Sequence, residues 1–164
     1  MIKIIFKIKM SFLFLLLNYI TMFSNTAKYA IKACLFLAVN SSEVNKLVIK
    51  DIAEPINVPS AYIAKILQAL SKKDIISSTR GPKGGFYLTK NQFQTNVMQI
   101  IEAVDGEERL NSCLLSLEKC NSDNPCSLHH LVYEEKHKIN ERLKRTTLED
   151  LRQHIMRGES ILPL

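Results

Sequence analysis

Apolar residues recur every three or four positions in two adjacent stretches near the middle of the chain, a spacing that predicts two short amphipathic helices. The first stripe consists of Ile49, Ile52, Ala53 and Ile56, and the second of Ile63, Ile66, Leu67 and Leu70. Between them, the segment 57–60 (Asn-Val-Pro-Ser) breaks the first helix and offers Ser60 as the N-cap of the second. The pair therefore predicts a helix-turn-helix.

The segment that follows these two helices predicts a β-hairpin. Two short strand-like runs, 75–79 and 86–88, flank the loop 80–85 (Arg-Gly-Pro-Lys-Gly-Gly), in which glycines permit unusual dihedral angles and two cations are exposed. A basic hairpin after a helix-turn-helix is typical of a wing that contacts phosphates of duplex DNA. We therefore predict a winged helix-turn-helix whose DNA-binding residues are Ser60, Ala61, Tyr62, Lys65, Arg80, Lys83, Gly84 and Gly85. The competing interpretation is a small α+β unit with a solvated basic face.

Helical spacing continues on both sides of this unit. The segment 22–42 predicts a helix capped by Ser24 or Asn25, with Cys34 as a buried structural thiol within its apolar stripe. After the wing, Thr95 or Asn96 begins a helix that Gly106 ends. The fold class is thus mainly α with a small β wing.

A long helix is predicted from Ser127 onward. Its apolar stripe has too little chain beside it to be covered, which favours a second copy as the partner, so we expect a homodimer. The stripe consists of Leu128, Leu131, Val132, Ile139 and Leu143. The segment 146–150 (Thr-Thr-Leu-Glu-Asp) caps a final short helix in which Leu148, Leu151 and Ile155 repeat.

Charge is distributed unevenly along the 164 residues, whose formal net charge is +6. The segment 46–90 contains eight Lys or Arg and three Asp or Glu, whereas the residues after it are slightly acidic. This asymmetry favours a nucleic-acid-binding domain joined to a separate control or assembly domain. No phosphate-binding glycine loop, dinucleotide fingerprint or catalytic Ser or Cys motif is present in the sequence, so we do not expect an enzyme.

The first 21 residues resemble a signal peptide, because three lysines precede the apolar run 12–17. That run is shorter than the approximately 20 apolar residues that a membrane-spanning helix needs. We interpret this segment as a mis-assigned extension before a translation start at Met22, with a membrane tether as the alternative. A chain with four cysteines and no evident disulfide framework indicates a reducing compartment, the cytoplasm.

Three of those cysteines form the second candidate site. Cys113, Cys120 and Cys126 lie within fourteen residues, and His129 follows the last of them by three positions. Three thiolates and an imidazole suit zinc or an iron–sulfur cluster, and the absence of short Cys-x-x-Cys pairs moves the balance toward iron–sulfur. The alternative is three unligated cysteines in a flexible loop.

From Met22 to about Leu151 the chain resembles the IscR–NsrR–RirA family of dimeric bacterial regulators. The matching motifs are Tyr29-Ala30, Ile52-Ala53, the segment 59–63 (Pro-Ser-Ala-Tyr-Ile), the wing 80–88, the segment 102–106, the three cysteines, and the segment 147–151. The resemblance implies a homodimer crossed through the long helix, with an iron–sulfur cluster near the start of that helix.

The family's branches differ in the fourth cluster ligand. The nitric-oxide-sensing branch uses an acidic residue at the position of Lys28, and an ammonium group cannot replace that carboxylate. The branch with a histidine three residues after the last cysteine fits better, so the resemblance implies His129 as the ligand, with the adjacent His130 as an alternative. Ala64 replaces an acidic recognition-helix residue of the iron–sulfur-biogenesis branch, so the operator preference does not transfer.

Together these observations divide the chain into an extension (1–21), a winged helix-turn-helix domain (22–106), a cysteine-rich loop (107–130) and a dimerisation region (127–157). The predicted function is a DNA-binding transcriptional regulator controlled by an iron–sulfur cluster. The alternatives are a cluster-free regulator that senses through its thiols or a partner protein, and a membrane-tethered interaction protein.

Overall fold

A computed structural model of the chain describes residues 23–107, 110, 112–113, 115 and 121–164. The elements are α1 (Asn25–Asn40), α2 (Ile49–Ile56), α3 (Ser60–Lys72), β1 (Ser77–Thr79), β2 (Gly85–Tyr87), the 3-10 helix η1 (Gln92–Gln94), α4 (Val97–Asp105), α5 (His129–Arg145) and α6 (Leu148–Met156). This mainly helical chain with one small antiparallel sheet confirms the predicted fold class. The predicted extension and Cys120 lie outside the described residues.

Helix α1 is the central element of the fold. The Ser24 hydroxyl accepts a hydrogen bond from the Ala27 N–H at 2.9 Å, which confirms Ser24 as the predicted cap. Small side chains on α1 allow α2, α3, α4 and α6 to pack closely around it. Its fully buried residues are Ala27, Ala30, Ala33, Cys34 and Leu37.

The turn between α2 and α3 has the geometry of a helix-turn-helix. Helix α2 ends at Ile56, and its C-cap residue Asn57 adopts the left-handed conformation with φ of 56°. Helix α3 begins at Ser60, and the preceding Pro59 is its N-cap residue, so the prediction that Ser60 caps the helix was wrong. The Pro59 carbonyl accepts hydrogen bonds from the N–H groups of Tyr62 and Ile63.

The apolar faces of both helices were predicted correctly. Ile52, Ala53 and Ile56 of α2 are buried, as are Ile63, Ile66, Leu67 and Leu70 of α3. Fully burying one such aliphatic side chain stabilises the fold by roughly 1.5–3 kcal/mol. The packed faces therefore determine which side of α3 remains available for a ligand.

The wing is shorter than predicted. Strands β1 and β2 pair in an antiparallel register that sets Ser78 opposite Phe86. Ile75, Ile76 and Leu88 were expected in the strands, but they lie just outside them and bury their aliphatic side chains in the core, which is the favourable place for apolar surface. Leu47, which precedes α2, adds a second short pairing by exchanging two backbone hydrogen bonds with Phe86.

The C-terminal helices return to the winged domain. Asn96 caps α4 in a capping box with Gln99, and Gly106 ends α4, both as predicted. Helix α5 begins at His129 rather than at Ser127. At its other end, the Val97 N–H donates to the Thr146 carbonyl (3.0 Å) and the Leu148 N–H donates to the Thr95 carbonyl (2.9 Å). These bonds fasten the end of α5 to the start of α4.

Among the residues that the structure describes, no helix combines the length and the apolar character that crossing a membrane requires.

Candidate functional site

The outward face of α3 carries the side chains predicted to meet DNA. Ser60, Ala61, Tyr62 and Lys65 are all exposed, while the opposite face of the helix is buried in the core. Helix α3 therefore presents a polar surface beside the wing, as a recognition helix must.

Tyr62 is exposed on α3 and also contacts two residues of α1. Its hydroxyl forms a 2.8 Å hydrogen bond with the Thr26 hydroxyl of α1. Its ring meets the Tyr29 ring edge-on, with the centroids 5.9 Å apart. These contacts attach the first turn of the recognition helix to α1, so Tyr62 both lies on the outward face and orients it.

The wing loop presents its two cations to solvent, because Arg80 and Lys83 are both exposed. Gly84 and Gly85 have a different role from these side chains. A Cβ atom at Gly84 would collide with the Thr79 carbonyl oxygen, and one at Gly85 would lie 2.7 Å from the Leu47 carbonyl oxygen. Close backbone packing therefore explains both glycines.

Sequence reasoning missed two residues that support the wing. The Lys46 ammonium lies over the Tyr87 ring, 5.2 Å from its centroid, and so adds a cation beside β2. Gln92 of η1 is buried directly beneath the hairpin and bonds to residues on both sides of it. A buried glutamine after a wing has no periodic signal, so only the tertiary structure reveals it.

The structure brings two of the three predicted cysteine ligands together. The Sγ atoms of Cys113 and Cys126 lie 3.6 Å apart, too far for a disulfide bond and close enough to face one common ligand. Both residues line a cavity of about 300 Å³ at the start of α5, together with His129, Tyr133, Lys136 and His137.

A backbone hydrogen bond and a ring contact fix the position of His129. Its N–H donates to the Cys126 carbonyl at 3.0 Å, which closes a tight turn between the two residues. Its imidazole stacks on Tyr133 with the ring centroids 4.9 Å apart. Within the described residues, no group of three or more His, Cys, Asp or Glu side chains is close enough to hold a metal ion.

The fourth cysteine is separate from this site. Cys34 lies in the core with no exposed surface, and burial raises the pKa of its thiol to about 12. A thiol in that environment stays protonated and unreactive at physiological pH. The prediction of a structural thiol at Cys34 is confirmed.

Comparison with known proteins places the chain in a family. The model of the Rrf2 family, described as "Iron-dependent Transcriptional regulator", matches residues 23–154. A protein of Aquifex aeolicus (strain VF5) named "Putative HTH-type transcriptional regulator" is 37% identical over 131 residues, which cover 79% of this chain and 90% of the relative.

Solved structures share the fold. T. potens IscR has a TM-score of 0.63 and 25% identity, with 84% of this chain and 90% of that chain covered. CymR, the global cysteine regulator of B. subtilis, has a TM-score of 0.64 and 24% identity, with 80% and 95% covered; at that identity it supports the fold alone. The homologues are DNA-binding transcriptional regulators and not enzymes, in agreement with the expectation from the sequence. The chain therefore belongs to the Rrf2 family of transcriptional regulators.

Proposed function

We propose that the protein is a dimeric regulator whose affinity for its operator depends on an iron–sulfur cluster bound by Cys113, Cys120, Cys126 and His129. The observation that carries this proposal is the 3.6 Å approach of the Cys113 and Cys126 sulfurs in a cavity that His129 also lines. The description of the family as iron-dependent supports the choice of iron.

The donor set fits such a cluster. Thiolates are the usual ligands of iron–sulfur clusters, and an imidazole replaces a thiolate at some of them. Cys126 precedes α5 and His129 is its first residue, and Cys113 lines the same cavity from the preceding loop. Cys120 belongs to the same loop in sequence, outside the described residues. When bound, the cluster supplies a redox-sensitive and labile link between the loop and the helix.

Residues of this chain connect that site to the DNA-binding half. The Lys136 ammonium donates a 2.6 Å hydrogen bond to the Ser112 carbonyl, which holds the cysteine loop against α5. At the other end of α5, Thr146 and Leu148 bond to the segment 95–97. A change in the position of α5 would therefore be transmitted to the winged domain, and in a dimer it would alter the separation of two recognition helices.

The DNA-binding part of the proposal rests on exposure and charge. Lys65, Arg80 and Lys83 are exposed cations on α3 and the wing, suited to phosphate contacts. Ser60 and Ala61 lie at the exposed start of α3, the part of a recognition helix that reaches base edges. Two half-sites of a duplex are about 34–36 Å apart, so the spacing between protomers controls specific affinity more than non-specific attraction.

The test compares cluster-loaded and apo protein without oxygen, at one salt concentration, on a duplex selected by the protein from a random pool. We expect the two forms to differ in affinity, and Cys113→Ser or Cys126→Ser to abolish both the coloured cluster and the difference, because a hydroxyl is a hard ligand. Cys34→Ala is the matched control and should retain both. Equal affinities of the two forms would refute control by the cluster.

A second candidate, a thiol switch, is favoured by the same 3.6 Å separation. A peroxide would oxidise the two thiols: an S–S bond forms, the O–O bond breaks, and the two thiol protons leave in water. The sulfurs would then be about 2.05 Å apart. Peptide mapping of peroxide-treated apo protein decides this candidate. A Cys113–Cys126 disulfide that changes DNA affinity in cluster-free protein would support it, whereas unchanged affinity would exclude it.

A further inference from the structure

Gln92 is buried at a structural junction of the winged domain. Only 6% of its surface is exposed, and it is the one buried polar side chain in the part of the chain that the structure describes. It begins η1, directly after the wing, in a position where an apolar side chain would be expected. Burying an amide without hydrogen bonds costs several kcal/mol in an apolar surrounding, so its partners explain its presence.

Those partners use the full hydrogen-bonding capacity of the amide. Its Oε1 accepts from the Ser77 hydroxyl at 3.1 Å and from the Thr89 N–H at 3.0 Å. Its Nε2 donates to the Asp74 carbonyl at 3.0 Å and approaches the Asp74 carboxylate at 3.4 Å. A primary amide offers two acceptor sites and two donor hydrogens, and here each has a partner.

The three partners belong to three different segments. Asp74 lies in the turn after the recognition helix, Ser77 begins β1, and Thr89 follows β2. Gln92 therefore joins the end of the recognition helix to the base of both strands of the wing. An isolated hairpin of three-residue strands is marginally stable by itself, so its direction depends on such connections.

The turn at Asp74 needs this support. Asp74 has φ of 58°, a left-handed conformation that is uncommon for residues other than glycine. This conformation turns the chain from α3 toward β1. Because Gln92 holds both the carbonyl and the carboxylate of Asp74, it stabilises the turn that determines the angle between helix and wing.

We propose that Gln92 is a positioning residue for DNA binding. It sets the angle between the recognition helix and the wing, so that Lys65 and the wing cations Arg80 and Lys83 reach the same duplex. Gln92 itself does not touch the DNA. This inference rests on the proposed phosphate contacts of the wing.

Gln92→Glu is the informative variant, because it keeps the size of the side chain and replaces the donor NH2 by an acceptor. The new carboxylate faces the carbonyl and carboxylate of Asp74, so the turn loses its donor and gains repulsion. We expect affinity for the selected duplex to fall about tenfold or more. The slope of log K against log salt should fall by about 0.9–1.8, equivalent to one or two lost phosphate contacts.

Gln94→Glu is the matched control. Gln94 lies in the same 3-10 helix and is exposed, and its substitution makes the same change in charge. We expect its affinity and salt slope to stay close to those of the wild type. An equal loss in both variants would mean that added negative charge, and not the position of the wing, weakens binding, and would overturn the inference.

A double-variant comparison separates positioning from a general loss of stability. Lys83→Ala should lower the salt slope by about 0.9 in the wild-type background and should change it little in the Gln92→Glu background, where the wing is already displaced. A purely structural defect lowers the fraction of active protein and leaves the slope unchanged. Full additivity of the two slope changes would overturn the role assigned to Gln92.

Two further results keep the inference distinct from the proposed function. If Lys83→Ala leaves the wild-type slope unchanged, the wing does not contact phosphate, and the wing placement fails together with the inference. If Lys83→Ala lowers the slope but Gln92→Glu does not, only the inference fails. If Gln92→Glu does not fold, Ser77→Ala replaces it, because this variant removes one of the four hydrogen bonds of Gln92. We then expect a smaller loss of affinity and a smaller fall in the salt slope. An unchanged salt slope in Ser77→Ala would overturn the inference.

Discussion

The cysteines of this protein differ in reactivity because their surroundings differ. Cys34 is enclosed by the core, whereas Cys126 is partly exposed at a cavity with a second sulfur 3.6 Å away. Burial disfavours the charged thiolate and raises the pKa of Cys34 to about 12. Residue type alone therefore does not identify a reactive cysteine; its environment does.

Alkylation tests this difference. At pH 8, iodoacetamide should modify Cys126 in native apo protein and leave Cys34 unmodified, while urea-unfolded protein reacts at both, as peptide mass spectrometry would show.

The free energy of unfolding should also fall as pH rises from 9.0 toward 12, because the thiol of Cys34 releases its proton at lower pH in the unfolded protein than in the folded protein. Equal modification of Cys34 in native and unfolded protein would contradict its burial.

Tyr62 illustrates a residue with a double role. Tyr62→Phe removes the hydrogen bond to Thr26 and keeps the ring contact with Tyr29. We expect a loss of about 0.5–1.5 kcal/mol in the free energy of unfolding, measured in urea. Thr26→Ala should cost a similar amount, and the double variant little more than either single one. Additive losses would show that the hydroxyl pair does not stabilise the protein.

At the scale of elements, the helix ends follow local chemistry. Ser24, Asn96 and Thr147 each accept a backbone hydrogen bond from the first turn of their helix. At α6, Asp150 completes a capping box by accepting from the N–H and hydroxyl of Thr147, and these two bonds lower the pKa of Asp150. This cap matters beyond α6, because the same segment pairs with the start of α4.

Thr147→Ala should destabilise the protein by about 1 kcal/mol in urea unfolding at pH 7. The loss should be smaller at pH 3, because the stabilising contribution of ionised Asp150 is present above pH 3.8 and disappears as pH falls through its lowered pKa. Thr146→Ala is the matched control: its hydroxyl donates to the Arg142 carbonyl, which already accepts from the Thr146 N–H. Equal losses from both threonines would argue against the cap.

At the scale of the molecule, α5 leaves a large part of its apolar surface uncovered. None of its residues is buried by the described part of the chain, and Leu131 is 74% exposed. Exposed apolar side chains along one helix are typical of an interface, and the residues that the structure describes leave Leu131 and Ile139 exposed.

Ile139→Asp tests whether a second copy covers this surface. Ile139 is 37% exposed on the single chain, and in the proposed dimer a charge there would be buried without a partner. We expect the wild type to sediment as a dimer at micromolar concentration and the variant to dissociate. Val44→Asp is the control, because Val44 is 96% exposed on the loop between α1 and α2. A monomeric wild type would contradict the proposed dimer.

The sequence alone determined the α-helices, the buried faces of α2 and α3, three of the helix caps and the position of the wing, because each depends on residues close together in the chain. The tertiary structure decided the properties that join distant segments. Ile75, Ile76 and Leu88, which were predicted in the strands, are buried in the core outside them. The pairing of Leu47 with Phe86, the bond between Tyr62 and Thr26, and the four bonds of Gln92 connect residues that no periodic pattern relates. Such contacts form only in the folded chain, which also brings Cys113 beside Cys126.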